Sequence, residues 1–132
     1  MRTSSMNPIV QTLNRAFGAR MAASGRFLLI ETVGRTSGRR HQTPVGFERA
    51  EDGALYVGAG AASAHWARNL LAQPRCRASV NGVTREYRAE ALDGDDRETA
   101  LRAIKGRYGP GMAARIGAGP VFRLVPVEAD AD

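Results

Sequence analysis

This 132-residue chain has one cysteine, one lysine, few aromatic residues and no long apolar run. With Cys76 alone, no internal disulfide can form, which excludes a secretory disulfide framework. His41, His65 and Cys76 lack the spacing of zinc ligands, so no metal site is expected. No segment approaches the ~20 apolar residues needed to span a bilayer, and the first residues show no continuous apolar signal-type stretch. A cytoplasmic protein is therefore the expectation. Aromatics make up 6% of the chain, too sparse to interleave with basic residues as a stacking surface for nucleic acid. A nucleic-acid module, suggested by charge alone, ranks last among the readings.

What the chain has in quantity is arginine. The formal charge is +6 and the isoelectric point about 10.6, and Lys105 is the only lysine. Guanidinium forks suit bidentate pairing with carboxylate or phosphate, so an anionic partner is indicated. The length fits one domain with one core. We expect a single unit over 1–132, with a helical segment at 1–25 and a barrel core at 26–127.

Asn7-Pro8 reads as a helix start. Val10, Leu13, Phe17 and Met21 then recur at helical spacing through about residue 23. This helix is expected to pack on the domain, with contact to a membrane surface as the minority reading. RFLLIETV (26–33) predicts a strand. A turn follows at 34–40, then a second strand at about 42–49, in which Pro44 must sit where no ladder donor is needed. A third strand is expected at 54–60, and a helix over about 64–72 with Ser63 as its cap. The dipeptide Asn81-Gly82 favours a two-residue type I′ hairpin. That hairpin sets Val80 opposite Val83, Ser79 opposite Thr84 and Arg77 opposite Glu86, with Ala78, Val80, Val83 and Tyr87 on the apolar face. A helix from about 94 carries acidic residues first and basic residues last, as its dipole favours, and Gly109-Pro110-Gly111 interrupts it. PVFRLVPV (120–127) predicts the last strand. The fold class is α+β: about six mainly antiparallel strands, with three or so helices, curled into a barrel that hides its edges.

Two stretches carry chemistry. The first is GRTSGRRHQTPVG (34–46). Its glycines let the backbone approach a ligand, Thr36 and Ser37 offer hydroxyls, and Arg35, Arg39 and Arg40 offer charge. Consecutive turn N–H groups can form an anion-binding concavity, and a solvated basic turn is an equally weighted reading. The second is GAGAASAHWARNL (58–70). Small residues at Gly58, Ala59 and Gly60 leave room for a flat ring against backbone. Trp66, Asn69 and Leu70 then share one helical face. Trp66 and Leu70 at that spacing are usually core, and Asn69 between them needs hydrogen-bond partners.

Together these motifs resemble the deazaflavin-dependent nitroreductase family, whose members use coenzyme F420. That family shows an apolar strand ending in T-T-G-R-x-S-G, a basic stretch, T-P-L, a V-V-A-S strand and W-Y-x-N-L-x-A-x-P. This chain has ETVGRTSGRRHQTPV, LYVGAG, HWARNLLAQP and RASVNG in the same order, so the resemblance covers about Phe27 to Leu92. It implies a split β-barrel that binds a deazaflavin ring with an acidic tail of phosphate and glutamates. Arg35, Thr36, Ser37, Gly38, Arg39 and Arg40 would hold the tail, with Thr43 and Pro44 close by. Gly58, Ala59 and Gly60 would lie along the ring, braced by Trp66 and Asn69. FMN is the alternative cofactor. Three positions depart from the pattern: Ala67 and Gly46 stand where relatives often carry Tyr, and His41 follows Arg40 where many relatives carry Arg.

The resemblance implies an F420H2-dependent oxidoreductase that passes a hydride to an electron-poor acceptor such as a quinone, enone or nitroaromatic. The alternative is a non-catalytic carrier of flavin, deazaflavin or lipid on the same fold. No catalytic side chain is singled out, and Tyr108 is noted as a residue that could line a substrate pocket. Split barrels commonly pair, so a homodimer is a further expectation.

Overall fold

The structure, a computed structural model, describes residues 27–127. The expected helix at 8–23, and with it any membrane-surface contact, lies outside the described residues. Six strands form an antiparallel ring: β1 (Phe27–Val33), β2 (Arg40–Arg49), β3 (Leu55–Gly58), β4 (Arg75–Val80), β5 (Val83–Ala91) and β6 (Val121–Pro126). The order around the closed barrel is β1-β2-β3-β6-β5-β4. Among the described residues there are three helices, α1 (His65–Ala72), α2 (Gly94–Tyr108) and α3 (Pro110–Ile116). None of them is long and apolar enough to cross a membrane.

The barrel follows from alternation. In β1, Leu28, Ile30 and Thr32 are buried while Leu29, Glu31 and Val33 are only partly so, the two-residue period of a strand with one face on a core. Val45 and Phe47 of β2, Leu55 and Val57 of β3, Cys76, Ala78 and Val80 of β4, Tyr87 of β5, and Phe122 and Leu124 of β6 complete the interior. Trp66, Ala67 and Leu70 of α1 join that same cluster, so α1 packs into the barrel. A second, smaller cluster joins Ile104 of α2 to Ala113 and Ile116 of α3, with Tyr56, Tyr108 and Met112 against it. Pro44 sits where β2 is paired with β1 alone, because β3 pairs only with Phe47–Arg49.

The six-strand antiparallel barrel and the hairpin register were both expected, and Val80↔Val83, Ser79↔Thr84 and Arg77↔Glu86 are the observed pairs. Asn81 (φ 52°) and Gly82 (φ 82°) occupy the left-handed region that the turn requires. Five details differ. The third strand is four residues long and ends at Gly58. Ser63 does not cap α1: Ala64 holds the N-cap position without a side-chain bond, and its N–H donates to the Ala61 carbonyl instead, at 3.1 Å. Arg77 and Glu86 face each other in register without pairing charges, because β1 brings Glu31 alongside Arg77. Arg77 lies 3.8 Å from Glu31, and Glu86 turns diagonally to Arg75 at 3.6 Å. Val83, at the hairpin tip, is 62% exposed rather than in the core. Beyond the Gly109-Pro110-Gly111 break the chain winds again into α3, with Pro110 in its first turn.

Candidate functional site

The bend between β1 and β2 is closed by its own backbone. Gly34 N–H donates to the Arg39 carbonyl at 2.7 Å, and Gly38 N–H to the Gly34 carbonyl at 2.9 Å. Gly38 has φ 71°, a conformation that glycine adopts without steric cost. The Ser37 hydroxyl accepts from Arg39 N–H at 3.1 Å, so it shapes the bend. Residues 35–40 are all exposed.

The bend is tied to α1 by one buried amide. Asn69 is 3% exposed and lies against Thr32, 1% exposed. Asn69 Nδ2 donates to Thr32 Oγ1 at 3.1 Å. Asn69 Oδ1 accepts from the Arg35 backbone N–H at 3.2 Å and from Arg35 Nη1 at 2.7 Å. A buried amide left without partners costs about 1–3 kcal/mol, and here both ends of the amide are used. Arg35 Nη2 also lies 3.3 Å from His65 Nδ1, so α1 orients the Arg35 guanidinium through two side chains. Arg40 pairs with Glu31 at 3.3 Å.

The structure thus brings Arg35, Ser37, Gly38, Arg39 and Arg40 together and joins them to Asn69. Thr43 and Pro44 do not face one way. Thr43 pairs with inward-facing Ile30 and Pro44 with Leu29 on the opposite face. Trp66 is 7% exposed with its ring 5.9 Å from Phe122, so its brace acts from inside the core. The strand end is less open than its composition implies. Gly58 and Ala59 are buried, and the Ala59 backbone exchanges bonds with Pro120 (2.9 Å) and Gly119 (2.8 Å). Ile116 covers Gly58 so closely that an added Cβ would stand 2.5 Å from the Ile116 carbonyl oxygen. Exposed small residues begin at Gly60 and run to Ser63.

Gly46, where relatives often carry Tyr, has its place taken by the same side chain, since a Cβ there would meet Ile116 Cδ1 at 2.5 Å. Tyr108 is half-buried. Its hydroxyl accepts from Phe47 N–H at 3.1 Å, and its ring lies 5.8 Å from that of Phe27. Sequence reasoning missed His65, Thr32, Arg97 and Ile116. His65 carried a signal, standing four residues before Asn69 and hence on its helical face. Arg97 carried none: its Nη2 donates to the Gly117 and Gly119 carbonyls at 2.9 and 3.2 Å, anchoring the loop that covers Ala59. Among the described residues, no group of three or more His, Cys, Asp or Glu could hold a metal. Burial pushes the Cys76 thiol up to about 12, leaving it protonated and unreactive at neutral pH.

The F420 pattern of acidic tail and planar ring fits this donor set. The basic bend is exposed, fixed from behind by Asn69, and joined through His65 to a run of small residues. Among solved structures, an F420-H2 dependent reductase (FDR-A) is 23% identical over 75% of this chain and 93% of that one, with a TM-score of 0.61. A structure described as a domain-swapped dimer is 20% identical over 89% of this chain and 99% of its own, at 0.60. The heme storage protein HutZ from Vibrio cholerae is 16% identical over 88% of this chain and 92% of its own, at 0.61. At these identities the likeness shows a shared fold. No curated protein matches the chain. The family model for F420H(2)-dependent quinone reductase matches residues 4–121, and on that extent the chain belongs to the F420H(2)-dependent quinone reductase family, enzymes whose cofactor is coenzyme F420.

Proposed function

We propose that this reductase passes a hydride to an electron-poor small molecule, a quinone, enone or nitroaromatic, and that it holds F420 between the Arg35–Arg40 bend and the segment leading into α1. When bound, the reduced deazaflavin supplies the hydride. The chain's part is geometry and charge. Arg39 and Arg40 face solvent at the bend and take the anionic tail, with Thr36 and the turn N–H groups beside them. Arg35 has three roles: it closes the bend on Asn69, leans on His65, and keeps further N–H donors for the tail. The exposed backbone at Gly60–Ser63 lies along the ring. Gly58 and Ala59, covered by Ile116 and the 117–120 loop, support that backbone from below.

The observation that carries this reading is the pair of hydrogen bonds that Arg35, through its backbone N–H and Nη1, donates to Asn69 Oδ1. It makes the basic bend and α1 one rigid unit. Such a fixed charge costs little to organise when an anion binds. Family membership favours the reductase over the carrier reading. Fluorescence titration with F420, FMN and a random oligonucleotide tests the binding, and menadione-dependent oxidation of reduced F420 tests the chemistry. F420 binding with turnover is the expected result. F420 binding without turnover on a broad panel of quinones, enones and nitroarenes would instead support the carrier. Arg39→Ala should weaken F420 binding by about 1–3 kcal/mol, the worth of a charged hydrogen bond, and unchanged affinity would remove the bend from the site. Pairing into a homodimer is also proposed, supported by the likeness to a domain-swapped dimer, and sedimentation measures it.

A further inference from the structure

The backbone that leads into α1 is held on one side by the 117–120 loop, and that loop is held in turn by a side chain of α2. Past the end of β3, the Ala59 N–H donates to the Pro120 carbonyl at 2.9 Å and the Gly119 N–H to the Ala59 carbonyl at 2.8 Å. The antiparallel β3–β6 ladder, whose last register pair is Gly58↔Val121, thus runs one step further, into the loop. Gly119 also lies directly on the next two residues. A Cβ there would stand 2.5 Å from the Ala61 carbonyl carbon and 2.9 Å from the Ala62 nitrogen. Backbone meets backbone with no side chain between, so a shift of Gly119 is passed on to Ala59–Ala62.

The loop begins where α3 ends. Gly117 is the C-cap residue of α3, at the end of a helix where carbonyls lack an intrahelical donor. Arg97 supplies one: its Nη2 donates to the Gly117 carbonyl at 2.9 Å and to the Gly119 carbonyl at 3.2 Å. One nitrogen of a planar, always charged group therefore fixes two points of the loop. Leu101, four residues on and on the same face of α2, packs against Gly117. Helix α2 clamps the loop, and the loop clamps the strand end. The residues just beyond, Gly60–Ser63, keep their exposure.

We propose that Arg97 is a positioning residue for hydride transfer, which through the 117–120 loop sets where the Gly60–Ser63 backbone stands against the deazaflavin ring. The inference rests on the ring lying along that backbone, and it assigns the placement to a side chain of another element. In this role Arg97 acts through backbone rather than through contact with the cofactor. The anionic tail is held elsewhere, at the Arg35–Arg40 bend. Removing Arg97 therefore separates two functions: the tail still binds, while the ring loses its alignment. Transfer is steep in alignment, since a misplacement of about 1 Å can cost on the order of 10²-fold in rate.

The test compares the wild-type chain with Arg97→Ala, with Arg97→Lys, and with Gly82→Ala, which strains the β4–β5 turn and touches no part of the loop. Fluorescence titration gives the F420 affinity. The change in the visible absorption band of F420 on binding reports the surroundings of the ring. Single-turnover oxidation of bound, reduced F420 by menadione gives the transfer rate, and circular dichroism melts check each fold. Arg97→Ala is expected to bind F420 within about threefold of the wild type, to lose most of the band change, and to slow transfer at least about tenfold. Arg97→Lys, whose ammonium can donate to both carbonyls from a shorter stem, should recover part of both. Gly82→Ala should keep the band change and the rate even where its melt is lower. A wild-type band change and rate in Arg97→Ala would overturn the proposal. Equal slowing in Gly82→Ala would overturn it too, as would an Arg97→Ala variant that loses affinity but keeps its rate at saturation. If the wild type binds F420 without turnover, the band change alone decides by the same comparison. If the wild type does not bind F420, the reading of the bend fails, and this inference with it.

Discussion

Asn69 holds the bend through its oxygen and the end of β1 through its nitrogen, and a substitution there acts on both. Asn69→Ala leaves the Arg35 N–H and the Thr32 hydroxyl without this partner, and should cost about 1–3 kcal/mol in urea unfolding along with a loss of F420 affinity. Stability lost with affinity retained would mean that Asn69 serves only the fold. Ile116 offers a second residue-scale test because it covers two glycines in different ways. An alanine Cβ at Gly46 meets the tip of the Ile116 side chain, whereas at Gly58 it meets the Ile116 backbone carbonyl. A side-chain tip can turn aside and a packed backbone cannot. Thermal melts should therefore show Gly58→Ala as the more damaging change, and Ile116→Ala should rescue Gly46→Ala but not Gly58→Ala. At this scale the sequence was readable in part. A polar Asn69 between two core positions signalled a need for partners, and the bend supplied them. Nothing local in HWARNL could say that Arg35 was one of those partners, since it lies 34 residues away.

Elements were easier to read than their contacts. The alternation of FLLIETV, the Asn81-Gly82 turn and the acid-to-base gradient of α2 each act over a few residues, and each gave its element. Gly82→Ala should cost about 1 kcal/mol, because a Cβ is strained at φ 82°, and a denaturant midpoint would report it. Where the reading failed, a third element had intervened. β1 took Arg77 away from Glu86, and the Ala61–Ala64 turn replaced the Ser63 cap. Helix α3 and the loop after it covered Gly58 and Ala59, which composition alone left bare. Arg97 belongs to the same lesson. It joins α2 to the loop after α3, so Arg97→Ala should loosen residues 117–119 and the paired Ala59 together. Faster amide exchange at Gly119 and Ala59, with the amides of β1 unaffected, is the expected outcome.

For the molecule as a whole, the single thiol provides a pH probe. Folding raises the Cys76 pKa from 9.0 to about 12 by burial. Below pH 9 both folded and unfolded chains keep the proton, so its contribution to stability is intact. Between 9 and about 12 only the unfolded chain releases it, and that contribution fades as the pH climbs. Wild-type stability should therefore fall more steeply over this range than that of Cys76→Ala, and parallel curves would show that burial does not set this pKa. The ring of strands has a weak joint as well. β1 meets β4 through three register pairs, Leu29↔Ser79, Ile30↔Ala78 and Glu31↔Arg77. The β2–β3 pairing has as few but is joined by a short turn, while the chain makes a long detour between β1 and β4. Closing that joint is costly in chain entropy, so it should part before the locally connected β4–β5 hairpin does. Deuterium should enter there before it reaches the β4–β5 hairpin. A molecule lodged across the two strands would then act as a clasp, and its arrival would be felt as slower breathing of the whole hoop.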